Sequence, residues 1–344
     1  MRPQITTHHT PTPITSRPTV VGSALAASTA ALVVLALGMG DYPLSPPEVL
    51  SALVGPLISD SPDFSSTVVL QWRLPRITAA VVFGAALAVA GALFQTLTRN
   101  PLGSPDIIGF STGAYTGVIL ATVVFGGAFV GTTGGAILGG LGTALLVYLL
   151  AYRKGVQGYR LIIVGIGVTA ALHAVNSWIL IRAETEVAMS AAIWGAGSLG
   201  LTSWTDVVPA VGVVLAALPL LLASVRPMRQ LELGDEVASS HGVKVEPTRL
   251  MILGVGVLLT ALVTATAGPI AFVALAAPQI ARRLARSTGI PLTHSALTGA
   301  FLLLGADLVA QQALAQPIPV GMVTVILGGA YLCFLLVSDG RRER

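Results

Sequence analysis

Residues Arg73 to Gly113, RLPRITAAVVFGAALAVAGALFQTLTRNPLGSPDIIGFSTG, decide how the rest of the chain is read. Two arginines stand one loop turn before an apolar run of membrane-spanning length, Ile77 to Leu97. A polar Arg99-Asn100-Pro101-Leu102 turn closes that run and a second apolar run follows, so this one stretch addresses both faces of a membrane. Gln95 is the one strongly polar side chain in the first run. Gly84, Ala88, Gly91 and Gln95 share a helical face, because steps of four, three and four residues return to the same side. A stripe of small residues lets another backbone approach closely, which is how helices associate where no hydrophobic drive operates.

Composition extends this reading to the whole chain. Of 344 residues, 54% are hydrophobic and 10% charged, with mean hydropathy +0.83, whereas soluble domains carry about a quarter charged residues. The fold class is an all-α integral membrane protein, a polytopic bundle. The 38 glycines suit close helix packing in lipid. A net charge of +4 would suggest a nucleic-acid partner in a soluble protein. Here the basic residues lie between apolar runs and orient the chain in lipid, so no nucleic acid is expected. The single cysteine, Cys333, excludes a disulfide framework and a multi-cysteine metal site, and reads as a small packing residue.

Along the chain, residues 1–19 read as a disordered tail rich in Pro and Thr, where adjacent His8 and His9 make a poor metal site. Spans are expected at Val20 to Gly40, Ile77 to Leu97, Asp106 to Phe125, Gly131 to Ala151 and Arg160 to Ile181. Five more are expected at Asp206 to Val225, Arg249 to Ala267, Ile270 to Leu284, Ser295 to Ala313 and Val320 to Val337. The first exceeds a signal-peptide core and reads as an uncleaved helix. Residues 270–284 are short, which leaves a full span and a re-entrant helix both open. With about ten helices, residues 20–338 form the transmembrane domain and 339–344 a second tail. Sixteen of the 19 Lys and Arg then fall on the side of the termini, and only Arg73, Arg76 and Arg182 on the other. That places both termini in the cytoplasm.

No phosphate-binding loop surrounds Lys154 or Lys244, no His-Glu-x-x-His occurs, and no nucleophile arrangement is present. No catalytic residue, metal site or cofactor is expected in this chain. An ion-coupled carrier would show clustered charges at mid-membrane. Asp307 is the clear intramembrane acid and reads either as a helix-helix hydrogen-bonding group or as part of a transport path. His173 and Asn176, one turn apart, point into the bundle or into a wet path. In the 226–249 loop, Gly234 precedes Asp235 and Glu236, acids suited to a helix's positive end, and Gly242 stands where a left-handed cap is needed. A helix of about seven residues is expected there, marginal alone in water. It reads as a solvated turn or as a helix held by docking to a partner. Arg73 and Arg76 read as anchors for headgroups, together with Trp72, or as a seat for an acidic partner. Trp194, Gly195, Gly197, Ser198 and Trp204 read as interfacial aromatics and turn glycines.

Taken in order, these residues resemble the permease subunits of the iron-siderophore and cobalamin ABC importers. The resemblance rests on Arg73-Leu-Pro-Arg76, Gly84 to Gly91, Gln95, Arg99-Asn-Pro-Leu102, Gly109 to Ala114, Gly234-Asp-Glu-Val-Ala238 and Gly242-Val243. It continues through Gly268-Pro-Ile-Ala-Phe272, Ala277-Pro278, Ala281-Arg-Arg283, Ala306-Asp307 and Pro319-Val-Gly321. It implies a permease in a bacterial cytoplasmic membrane, paired with a second permease and two cytoplasmic ATPases, and served by an extracytoplasmic binding protein. ATP and magnesium would be used by the ATPase subunits, not by this chain. Arg73 and Arg76 would dock acidic residues of the binding protein. The 226–249 loop, with Gly234, Asp235, Glu236, Ala238, Ser239 and Gly242, would couple to the ATPase. Gly84, Gly91, Gln95, Asn100, Pro101, His173, Asn176 and Asp307 are assigned to helix packing or the translocation path. The implied substrate is a ferric siderophore; cobalamin or haem is the alternative within the family, and an ion-coupled carrier the alternative outside it. The sequence departs from the family at Gln279, where histidine is usual, at Gln311 and Gln312, where an arginine is usual, and at Gly328-Gly329-Ala330-Tyr331. The missing arginine favours a paralogous partner over a homodimer.

Overall fold

A computed structural model of the chain describes residues 16–58, 63–124, 131–152, 158–313 and 316–340. The expected tail residues 1–15, with His8 and His9, and 341–344 lie outside the described residues. The described chain is helical from end to end. In order its helices are α1 (Ser16–Gly38), α2 (Pro46–Ile58), α3 (Phe64–Thr67), α4 (Leu74–Thr98), α5 (Pro105–Ile108), α6 (Phe110–Ile119), α7 (Gly131–Ala151) and α8 (Gly158–Arg182). There follow α9 (Thr185–Gly195), α10 (Trp204–Glu232), α11 (Asp235–Ser240), α12 (Val245–Ala267), α13 (Val273–Ala285), α14 (Leu292–Gln312) and α15 (Val320–Gly340). Seven helical stretches are long and apolar enough to cross a membrane, and the apolar stretches Phe110–Val123 and Val320–Phe334 are shorter.

Helical residues underlie each of the ten expected spans as far as the described residues reach, seven of them long enough to cross, and several boundaries differ for identifiable reasons. Helix α1 begins at Ser16, inside the expected tail, because Pro18 in the first turn lacks an N–H that would be unpaired there anyway. Arg73 and Arg76 do not sit in a loop. A π turn over Val68–Arg73 joins α3 to α4, with the Leu74 N–H bonded to the Val69 carbonyl five residues back, so Phe64–Thr98 is continuous. The wider turn accommodates Pro75, which has no N–H to give. The Asp106 to Phe125 span is broken at Gly109, whose φ of 94° only glycine adopts readily and where a Cβ would strike the Thr169 side chain. Helix α10 runs seven residues past the expected Val225. Helix α13 has 13 residues, about 20 Å of helix, against about 30 Å of bilayer hydrocarbon. It covers about two-thirds of that thickness, and residues 268–272 before it are not helical. Helices α2 and α9 lie in connections that hydropathy reads as loops.

Helix α4 is the centre of the bundle. Every residue from Ala86 to Thr98 is buried, and α10, α12, α13 and α14 surround it. The small-residue stripe does what its spacing suggests. A Cβ on Gly84 would overlap the Gly299 carbonyl of α14, and one on Gly91 would overlap the Ala274 carbonyl of α13. A second seam joins α6 to α7, where Gly113 and Gly117 meet Gly139 and Gly135. By contrast α8 and α10 bury little within the chain, leaving apolar side chains such as Ile163, Ile166, Trp178 and Leu222 exposed. Such surfaces suit lipid or a second membrane subunit.

Candidate translocation path and coupling elements

At the Arg73 end of α4, both arginines are engaged within the chain. Arg76 donates through Nε and Nη2 to the two oxygens of Asp307 on α14, at 2.8 and 2.7 Å. The Asp307 side chain is 6% exposed and that of Arg76 19%. Parallel bonds of this kind fix geometry as well as charge. Arg73 donates to the carbonyls of Leu37 and Tyr42, at 2.6 and 2.5 Å, and so holds the end of α1 and the turn after it. Its hydrogen-bond partners are neutral carbonyls, with the Asp41 carboxylate nearby but not bonded to it, whereas Arg76 is paired directly with a carboxylate. Both arginines line a pocket of about 260 Å³ with Asp41, Trp72 and Gln311. Asp307, which lines the same pocket, is the ion-pair partner of Arg76. The sequence treats the two arginines as equivalent; the structure separates them.

Near the middle of α8 lies a larger cavity of about 630 Å³. Asp106, Tyr115, Thr169 and His173 line it from α5, α6 and α8, and Pro269 and Met322 close other sides. His173 is exposed to it, but Asn176 is not part of the lining. Asn176 is 2% exposed, and both its amide atoms lack a hydrogen-bond partner. Three residues turn the helix by 300°, which leaves the two side chains about 60° apart, and the edge of the cavity falls between them. Trp194 stacks on Tyr115, with ring centroids 6.0 Å apart. Gly197 and Gly268 both have positive φ, and the Gly321 N–H donates to the Gly197 carbonyl at 3.0 Å. The segment expected to be an interfacial turn thus packs into the cavity wall. Asp106 was not singled out by the sequence, because after Ser104 and Pro105 it reads as an ordinary first-turn acid. Ser104 does cap α5, accepting from the Ile107 N–H at 3.4 Å.

The opposite end of α4 connects to the short helix α13. Gln95 donates to the Leu275 carbonyl at 2.9 Å and accepts from the Gln279 amide at 2.6 Å, all in buried surroundings. The glutamine that departs from the family pattern is therefore the partner of the polar residue in the α4 stripe. Asn100 makes a turn of its own, its side-chain oxygen accepting from the Leu102 N–H at 2.9 Å. With Pro101 it borders a polar pocket of about 230 Å³, remote in sequence from the α8 cavity and lined by Gln95, Arg99 and Glu232. Asn100 and Pro101 do not line the large cavity.

The short helix forms as expected, over the six residues Asp235–Ser240. Gly234 and Gly242 have φ of 119° and 80°. The Val243 N–H bonds to the Ala238 carbonyl at 3.0 Å, closing the helix as a left-handed cap does. Asp235 holds it in place: Arg99, the residue that caps α4, bonds to one carboxylate oxygen, and Arg249 of α12 bonds to both, at 2.8 Å. Ala238 is fully buried, so it anchors α11 and is not part of an outward surface. Glu236, Val237, Ser239 and Gly242 are exposed.

Compared with known families, residues 24–338 match the FecCD transport family. The ferric enterobactin transport system permease FepG of Escherichia coli K12 is 48% identical over 308 residues, covering 89% of this chain and 92% of that protein. The achromobactin transport system permease CbrC of Dickeya dadantii is 36% identical, covering 90% and 88%. The cobalamin import permease BtuC of Halobacterium salinarum is 34% identical, covering 84% and 79%. Among solved structures, an inward-facing metal-chelate type ABC transporter superposes with a TM-score of 0.81 at 28% identity, over 93% of this chain and 99% of that one.

Proposed function

The chain belongs to the FecCD transport family, and from that premise we propose that it is the membrane permease subunit of an ABC importer carrying a ferric siderophore into the cell. The observation that carries the reading is 48% identity, over nearly the full length of both chains, to a ferric enterobactin permease. The importer contains a second permease, a paralogue in this reading, with two cytoplasmic ATPases that use ATP and magnesium, and it receives substrate from an extracytoplasmic binding protein. The Arg99 end and both termini face the cytoplasm, in keeping with sixteen of 19 basic residues on that side.

In this account Arg73 supplies the docking charge for the binding protein, because its partners are neutral carbonyls, while Arg76 and Asp307 brace α4 against α14. On the cytoplasmic side the exposed residues of α11 meet the ATPase. Movement of α11 passes through Asp235 to Arg99 and Arg249, hence to α4 and α12. The bond between Gln95 and Gln279 extends that connection to α13, and the segment just before α13, with Pro269 and Ala271, walls the α8 cavity. Alternating access is then a rigid-body shift driven from the ATPase side. In a strain lacking this chain, uptake of radioactive iron from a ferric siderophore should be lost and restored by the intact chain but not by Arg73→Glu. Undiminished uptake in the deletion strain, or uptake that survives inactivation of the ATPase, would overturn the reading.

A further inference from the structure

The α8 cavity is lined by two pairs of polar side chains at helical spacing, Thr112 and Tyr115 on α6 and Thr169 and His173 on α8. Some polar groups in its wall are used within the chain. The Thr169 hydroxyl donates to the Gly165 carbonyl at 2.8 Å, and the Asp106 carboxylate is closed off by the Ser111 hydroxyl and the Phe272 N–H. Three others are not used: the His173 imidazole and the Thr112 and Tyr115 hydroxyls have no hydrogen-bond partner among the described residues. His173 is exposed, and the two hydroxyls, on half-buried residues, are accessible rather than sealed. The Tyr115 ring is held in place, stacked on Trp194 and so close to Gly195 that a Cβ there would come within 2.8 Å of it. His173 stands about 22 Å along α8 from Gly158, in the middle of the span, where an imidazole facing hydrocarbon is costly. All three groups donate, the imidazole in either protonation state, and no Lys or Arg is among the described lining residues. An apolar chamber of about 630 Å³ with a few polar groups is the usual form of a small-molecule site.

We propose that His173, with the Tyr115 and Thr112 hydroxyls, forms a hydrogen-bond-donating station on the path that receives the ligand oxygens of a passing ferric chelate. This rests on the importer reading and adds to it a specificity-determining residue. Iron(III) is a hard cation held by oxygen, so a catecholate, hydroxamate or carboxylate chelate presents acceptors at its surface. Such oxygen-ligated chelates are the substrate class. Donors without partners in an apolar wall favour them over a ligand that presents only N–H groups or hydrocarbon, because a donor left unanswered forfeits the bond it made to water. Three such bonds, none from a Lys or Arg, also let the chelate leave, as passage requires.

The probe is tris(acetohydroxamato)chromium(III), an exchange-inert complex with the oxygen shell of a ferric hydroxamate. Its counterpart is tris(ethylenediamine)cobalt(III), of similar size, which presents only N–H donors and methylene groups. In the complete importer in lipid nanodiscs, with Cys333→Ala as background, Met322→Cys places a reporter thiol on the cavity wall. Its modification by uncharged methyl methanethiosulfonate is followed by mass spectrometry with either complex present. At about 10 mM the chromium complex should slow the reaction at least about threefold, as a site with a Kd of about 5 mM does, and the cobalt complex should leave it unchanged. His173→Leu should remove most of that protection, and His173→Gln, which keeps an N–H donor, should retain it. Should His173→Leu fail to assemble, Tyr115→Phe removes a donor at constant shape and should lower protection in the same direction. Thr169→Cys reads the same cavity from α8 should the first reporter not assemble. Equal protection by both complexes, none by the chromium complex, or protection that survives removal of the donors overturns the proposal. Because no ATP, binding protein or transport enters the measurement, a failure here is separate from a failure of the importer reading, which uptake in the deletion strain decides.

Discussion

Replacing Asp307 by asparagine should destabilise the chain by about 3 kcal/mol, because it strands the Arg76 guanidinium beside a neutral amide. The structure sets the size. Two parallel bonds of 2.8 and 2.7 Å are lost, and the side chains concerned are 19% and 6% exposed. Removing one member of a buried pair costs roughly 3–5 kcal/mol, and the lower end applies where the arginine keeps some contact with water. Replacing both members, Arg76→Met with Asp307→Leu, should recover most of the loss, since a matched apolar pair leaves no charge unpaired. Thermal denaturation of the detergent-solubilised chain, run as a double-mutant cycle, measures both effects. The same variants separate bracing from docking. If Arg76 serves the pair, the double variant should bind the binding protein within about twofold of the intact importer, under 0.5 kcal/mol, while Arg73→Glu abolishes binding. A cost below about 0.5 kcal/mol for Asp307→Asn, or a double variant no better than the worse single one, would refute the reasoning.

Three further outcomes follow from contacts elsewhere in the bundle. Gly91→Ala should prevent accumulation of folded protein, because its Cβ would overlap the Ala274 carbonyl, whereas Gly142→Ala, with nothing within 4 Å, should accumulate normally; membrane-fraction yield distinguishes them. Gln279→Leu should cost about 1–3 kcal/mol by leaving the Gln95 carbonyl oxygen buried and unpaired, read again by thermal denaturation. Asp235→Asn should leave the chain folded but lower binding-protein-stimulated ATP hydrolysis at least about threefold, since two charge-assisted contacts of α11 are weakened together.

Local patterns in the sequence carried the spans, the packing stripe on α4 and the short helix. These depend on residues three or four apart, or on glycines beside a helix end, and α11 with Gly234 and Gly242 shows how far such signals reach. What they missed are bonds between residues far apart. Arg76 meets Asp307 across 231 residues, and Gln95 meets Gln279 across 184. No periodicity links such positions, so two docking arginines looked alike and Asp307 looked like a lone intramembrane acid. The short α13 is ambiguous in the sequence because Ile270 to Phe272 are apolar yet form the turn before the helix, with Phe272 at φ 69°. Asp106 was hidden by its neighbours: Ser104 and Pro105 make any acid after them look like helix capping, and only the tertiary arrangement brings it to the cavity wall.

The most direct test of the account is iron uptake into proteoliposomes containing this chain, its permease partner and the two ATPases, with the binding protein loaded with ferric siderophore outside and ATP enclosed. Accumulation of radioactive iron that requires both ATP and the binding protein is the predicted result. Uptake that proceeds without ATP under an imposed ion gradient, or that is indifferent to the binding protein, would contradict it.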